Sequence, residues 1–192
     1  EELPADFARL VIPQLKELVQ DDLHKLRLEY GDIICSSTPR RIAVIVKDLA
    51  KVSNDFIENR KGPPAFKAFE NGRPTQSAIG FAKRYGIALD NLEIKDTPKG
   101  KFVFGKVVEK GESTFDLMGG LIIKWINSLQ GSRFMRWGSG DLRFSRPIRW
   151  IVSLIDDKEI TLKIPNSDPN VTSGRLSRGH RLHKKEVLID SA

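Results

Sequence analysis

Val11, Leu15, Leu18, Asp22 and Leu26 recur at helical spacing with Ile12, Val19 and Leu23 beside them, and the β-branched run Ile42-Ala43-Val44-Ile45-Val46 follows. A 3.6-residue period giving way to a strand-forming run commits the chain to both kinds of secondary structure. Lys16, Glu17, Gln20, Asp21, Lys25 and Arg27 fill the opposite face of the helix. Pro4 suits its first turn, Pro13 predicts a bend or restart, and Gly31 predicts its stop. Ser37-Thr38-Pro39-Arg40 joins predicted strands over 32–37 and 41–47 into a hairpin.

The same mixture continues. Arg60-Lys61-Gly62-Pro63-Pro64 reads as a turn or linker and as the best internal boundary. Pro74-Thr75-Gln76-Ser77 opens a second helix, with Ala78, Ile79, Ala82 and Tyr85 on one face and Gly86 as its stop. Predicted strands over 92–94 and 102–108 flank Pro98-Lys99-Gly100, and a third amphipathic helix covers 115–129. Beyond it come a strand over 148–155, a tight turn at Asp156-Asp157-Lys158, a partner strand over 159–164, a polar loop over 166–173 and a last strand at 187–189. The predicted fold class is α+β: mixed sheets with hairpins and packed amphipathic helices. Residues 1–62 are expected to pack with 130–192, and 63–129 to form an inserted helix/strand subdomain.

A chain of 192 residues, 40% of them hydrophobic, is long enough for one well-cored domain or two small ones. A formal charge of +7 and a pI near 9.6 favour an anionic partner without bearing on the fold. Cys35 is the single cysteine, which excludes an intramolecular disulfide or a zinc site built on cysteines. No apolar run approaches the roughly 20 residues needed to span a bilayer, and Glu1-Glu2-Leu3-Pro4 is unlike a signal peptide. These features together predict a soluble, cytoplasmic protein.

Catalytic patterns are missing from the sequence. Neither a P-loop nor a dinucleotide fingerprint is present, and Gly119-Gly120 and Gly138-Ser139-Gly140 read as turns or packing sites. His180 and His183 stand three apart, but Arg178, Arg181, Lys184 and Lys185 around them would repel a divalent cation, so no metal site is assigned. Ser145 and Ser177 lack nucleophile-elbow spacing, and Cys35 sits in an apolar strand pattern that suits a buried, inert thiol. We assign no catalytic residue and no cofactor to this region.

Basic side chains at turns and strand ends are the better candidates, because a scaffold presents such positions outward. Arginine forks suit phosphate oxygens. The candidate polyanion-binding set is Arg40, Arg41, Lys61, Arg136, Arg146, Arg149, Arg175, Arg178, His180 and Arg181, with Arg60 and Arg133 close by and Trp137, Phe144 and Trp150 interleaved for stacking or packing.

Set in order, these segments resemble the N-terminal region of the beta subunit of bacterial, two-subunit glycyl-tRNA synthetase. The resemblance runs from Glu1-Glu2-Leu3-Pro4-Ala5 through Thr38-Pro39-Arg40-Arg41-Ile42-Ala43, Lys61-Gly62-Pro63-Pro64, Gly72-Arg73-Pro74-Thr75 and Gly80-Phe81-Ala82. It continues through Met135-Arg136-Trp137-Gly138, Arg146-Pro147-Ile148-Arg149-Trp150, Ser173-Gly174-Arg175 and Gly179-His180-Arg181. The resemblance implies that this chain is a fragment of a longer subunit. It also implies a tetramer of two alpha and two beta chains whose alpha subunit holds the class II site for glycine, ATP and Mg. The beta chain would contribute binding of tRNA(Gly) and assembly, with the alpha subunit and the remainder of beta as partners and no membrane. Two alternatives differ in chemistry: a protein-interaction module that touches no RNA, and an editing activity resting on His180 and His183 alone.

Overall fold

The computed structural model describes residues 2–131, 133–165, 167, 170–179, 182 and 186–192. The predicted apolar stripe is buried along helix α1 (Phe7–Lys25), which sets Phe7, Val11, Leu15, Val19 and Leu23 into the core together with Asp22. The helix does not restart at Pro13, which lies inside it. A missing interior N–H costs about 3 kcal/mol, whereas each large apolar side chain fully buried contributes roughly 1.5–3 kcal/mol. The stripe outweighs the proline.

α1 ends several residues before Gly31. Arg27 takes the left-handed conformation at φ 57°. The Leu28 N–H donates to Leu23 O at 2.9 Å and the Arg27 N–H to His24 O at 3.0 Å. That is the paired hydrogen-bond pattern which usually recruits glycine after a helix, built here on an arginine. Next come β1 (Ile33–Thr38) and β2 (Arg41–Val46), paired antiparallel with Ile33 opposite Val46 and Thr38 opposite Arg41. Strand alternation sends Ile33, Cys35, Ile42, Val44 and Val46 to the α1 core.

The chain divides into one unit of 1–53 with 112–192 and a second of 54–111. The sequence had put these boundaries at 62 and 129. They fall elsewhere because the proline-containing segment is a strand of the second unit and the third amphipathic helix belongs to the first. In the first unit, the Ser53 N–H donates to Glu112 O at 3.0 Å. In the second, the Gly111 N–H donates to Asp55 at 2.8 Å. Each unit thus holds its own two chain ends side by side.

The second unit opens with β3 (Phe56–Pro64), α2 (Ala65–Ala68), β4 (Phe69–Glu70), β5 (Arg73–Pro74) and α3 (Gln76–Tyr85). It closes with β6 (Leu92–Thr97) and β7 (Gly100–Glu109). The main sheet is antiparallel in the order β3-β7-β6. Pro63 and Pro64 end an outer strand, where the register shifts between Lys61 and Pro64. An edge position tolerates residues that cannot donate to the ladder. α3 packs through Ala78 and Ala82 and stops at Gly86, φ 64°. Its buried face is narrow, so Ile79, expected on that face, is exposed. Ala68, Ala78 and Val103 form the core with Phe69, Phe81 and Leu92 against them.

The first unit resumes with α4 (Thr114–Ser128), which buries Met118, Leu121 and Trp125 in the α1 core. Short strands follow: β8 (Met135–Arg136), β9 (Arg143–Phe144), β10 (Ile151–Val152), β11 (Leu154–Ile155), β12 (Lys158–Glu159), β13 (Ser173–Gly174), β14 (Leu176–Arg178) and β15 (Glu186–Leu188). The strand predicted over 148–155 is split. Its first half pairs parallel with β13 and its second antiparallel with β12. The switch of partners falls at Ser153, whose carbonyl accepts the Ile160 N–H at 2.9 Å. The final predicted strand exists as β15, paired with β14.

Candidate nucleic-acid interface

In the first unit, the segment 146–150 connects two basic neighbourhoods. Leu3 donates its N–H to Pro39 O at 2.6 Å, in the β1–β2 turn that carries Arg40 and leads into Arg41 at the start of β2. Arg146 Nε donates to the carbonyl of Glu2, the preceding residue, at 3.3 Å. The N-terminal segment therefore brings Arg40, Arg41 and Arg146 to one neighbourhood. Arg146 also donates to its neighbour Ser145 O at 3.2 Å, so part of its fork is engaged by backbone.

Arg149, Trp150 and Arg178 form the second neighbourhood. The Arg178 guanidinium lies 5.7 Å from the Trp150 ring centroid. Arg149 is exposed immediately before that tryptophan. A guanidinium stacked on an indole keeps its N–H edge free for an anion while losing little side-chain entropy. Sequence order alone could not join Arg178 to Trp150, because proximity arises only when β14 is laid beside β10.

Arg175 is placed differently from its neighbours. One Nη donates to Asp190 O at 2.7 Å and to Ile189 O at 3.4 Å. The other Nη donates to Asp157 O, and Nε lies 3.9 Å from the Glu159 carboxylate. A guanidinium has five N–H donors. Those of Arg175 tie the β11–β12 turn to the chain beyond β15, so this side chain acts as a clamp and offers little to phosphate. Arg136 is exposed and 3.3 Å from Asp141, and β-pairing sets it directly opposite Arg143. Like charges across a ladder repel, and Asp141 offsets that repulsion. His180 and Arg181 lie outside the described residues, as does His183.

Lys61 belongs to the second unit. Its Nζ is 3.5 Å from the Phe102 ring centroid. Pairing puts Lys61 opposite Phe104, Lys95 opposite Phe102 and Asn59 opposite Lys106. Directly paired residues share a face, so this side of the sheet carries two phenylalanines among three lysines. The opposite side holds Val103 and Gly105 against the helices; a Cβ at Gly105 would sit 3.3 Å from the Phe81 ring. Phe104, Lys95 and Lys106 were missed in the sequence. The available signal was the two-residue alternation of Phe102, Phe104 and Lys106.

Burial pushes the Cys35 thiol above its ordinary value, with nearby Lys16 pulling weakly the other way. Protonated and half-buried in β1, it is a poor nucleophile. Among the described residues no group of three or more His, Cys, Asp or Glu is placed to hold a metal ion. Among the same residues no helix is long and apolar enough to cross a membrane.

The family model described as glycyl-tRNA synthetase beta subunit matches residues 1–192. The glycine–tRNA ligase beta subunit of Synechocystis sp. is 45% identical over 191 residues, covering 99% of this chain and 26% of that protein. The Picosynechococcus sp. protein of the same name is 45% identical over 193 residues, covering 100% and 27%. That of Desulfitobacterium hafniense is 38% identical over 192 residues, covering 100% and 27%. The chain spans about a quarter of the length of these relatives, at their N-terminal end. It belongs to the glycyl-tRNA synthetase beta-subunit family.

Proposed function

From that membership we propose that this chain is the N-terminal part of the beta subunit of a cytoplasmic, tetrameric glycine–tRNA ligase. Its role is to bind tRNA(Gly) and support assembly with the alpha subunit and the remainder of beta. Activation of glycine with ATP and Mg belongs to the alpha subunit.

The observation that carries the RNA reading is the Arg178 guanidinium lying over Trp150 at 5.7 Å beside exposed Arg149. Base-independent phosphate contacts of this kind fix register and orientation on RNA. Glycine charging by the two-chain enzyme tests the reading. Arg149→Glu with Arg178→Glu should raise the KM for tRNA while the tetramer stays assembled. Unchanged charging would end the RNA reading and leave this surface as solvated charge.

A protein-interaction role without RNA contact has its own support. Leu176 and Leu188 face each other across β14–β15 at 50% and 57% exposure. Paired exposed leucines suit a docking surface. Leu176→Asp with Leu188→Asp should release a protein partner with tRNA affinity unchanged if assembly is this surface's function.

A further inference from the structure

We propose that the open face of the β3-β7-β6 sheet is a stacking platform for unpaired nucleotides. The face is defined by register. Phe102 and Phe104 project from the central strand, Lys61 and Asn59 from β3, and Lys95 and Glu93 from β6, with Lys106 further along β7. Asn59, Lys61, Glu93, Lys95 and Lys106 are exposed, and Ile57 and Val108 at the far end are 54% and 48% exposed. α3 packs on the other side, where Arg60 lies 5.9 Å from the Tyr85 ring. An antiparallel sheet with one face on its helices and the other bare normally displays polar residues outward. Here two half-buried aromatic rings sit in the middle of that face, among exposed neighbours.

The flanking charge identifies the occupant. Lys61 Nζ sits 3.5 Å from the centroid of Phe102 and Lys95 Nζ 5.8 Å from that of Phe104. Glu93 shares the face, ion-paired to Lys95 at 2.9 Å. Across 54–111 there are eleven lysines and arginines against seven acidic residues. Protein–protein interfaces deplete lysine at their cores, so lysines ringing two phenylalanines fit a protein partner badly. Nucleotides satisfy both parts of the pattern: each base has a flat face for a phenylalanine, and each phosphate a charge for a lysine. Binding exchanges the ammonium on Phe102 for a base and frees Lys61 to meet the adjoining phosphate. Paired bases are already stacked on one another, so the platform selects unpaired RNA.

This inference rests on the proposed RNA-binding role but assigns it to a second surface. The test uses the two-chain enzyme with full-length beta and a fluorescent single-stranded RNA of about eight nucleotides, a duplex of the same sequence, and tRNA(Gly). Phe102→Leu with Phe104→Leu keeps the apolar volume and removes the rings. It should weaken the single-stranded probe about ten- to a hundredfold, leave the duplex unchanged, and be rescued by Phe102→Tyr with Phe104→Tyr. Ultraviolet cross-linking of the unaltered enzyme should place RNA adducts between Lys101 and Lys106, which guards against a variant that misfolds. Full affinity in the leucine variant with no adduct there overturns the platform. Loss of the alpha subunit with RNA affinity intact would overturn it too, marking the face as a protein interface. If the leucine variant is silent while Arg149→Glu with Arg178→Glu weakens tRNA, the platform fails and the proposed function stands; if neither weakens tRNA, both fail.

Discussion

Trp125 donates its indole N–H to the buried carboxylate of Asp22 at 3.0 Å. Lys124 reaches the other oxygen of the same group at 2.6 Å from a side chain left 54% exposed. Two successive residues of α4 thereby fix one carboxylate of α1, which is itself only 4% exposed. Asp22→Ala should cost about 1–3 kcal/mol in chemical unfolding, because it orphans a buried indole N–H. Trp125→Phe should cost a similar amount by thinning the core. If Asp22→Ala proved neutral, the pairing would be incidental to the packing of the two helices.

Arg175 separates structure from binding. Arg175→Ala removes a fork that holds three carbonyls, so the transition midpoint should fall by an amount corresponding to about 1–3 kcal/mol. The salt dependence of tRNA binding should be unaltered. Arg149→Glu with Arg178→Glu should do the reverse, leaving stability near the parent and flattening the log–log salt slope by roughly 0.7–0.9 for each phosphate no longer neutralised. Equal slopes in both variants would contradict this assignment.

Two helix ends predict substitutions of opposite sign. Gly86 ends α3 at φ 64°, so Gly86→Ala should destabilise by about 1 kcal/mol. Arg27 ends α1 at φ 57° with a side chain in place. Arg27→Gly should therefore be neutral or stabilising by up to about 1 kcal/mol. Paired melting curves of the two variants decide it.

Cys35 gives a pH dependence with a definite direction. Folding holds its thiol pKa above the ordinary 9.0, chiefly through burial. The protonated form is the one favoured in the fold, so its contribution is intact below about pH 9 and is lost as pH rises through the raised value. Cys35→Ala should remove that alkaline part of the stability profile. Alkylation of Cys35 at pH 8 should be slow until the chain is unfolded.

Local chemistry in the sequence determined a good deal. The α1 stripe, the hairpin around Pro39-Arg40, the α3 stop at Gly86, the strands flanking Pro98 and the mixed α+β class all follow from side-chain period and turn residues, which act over a few positions. The ordered motifs likewise carried the family. Tertiary structure alone decided the rest. Pro13 stays inside a helix because a buried stripe outweighs one missing hydrogen bond. Pro63 and Pro64 end a strand instead of opening a linker because that strand is an edge. Arg175 became a clamp while Arg178 came to rest on Trp150, and Phe102 met Lys61, because strands distant in sequence were laid side by side. Such pairings depend on long-range register, which no local run of residues encodes.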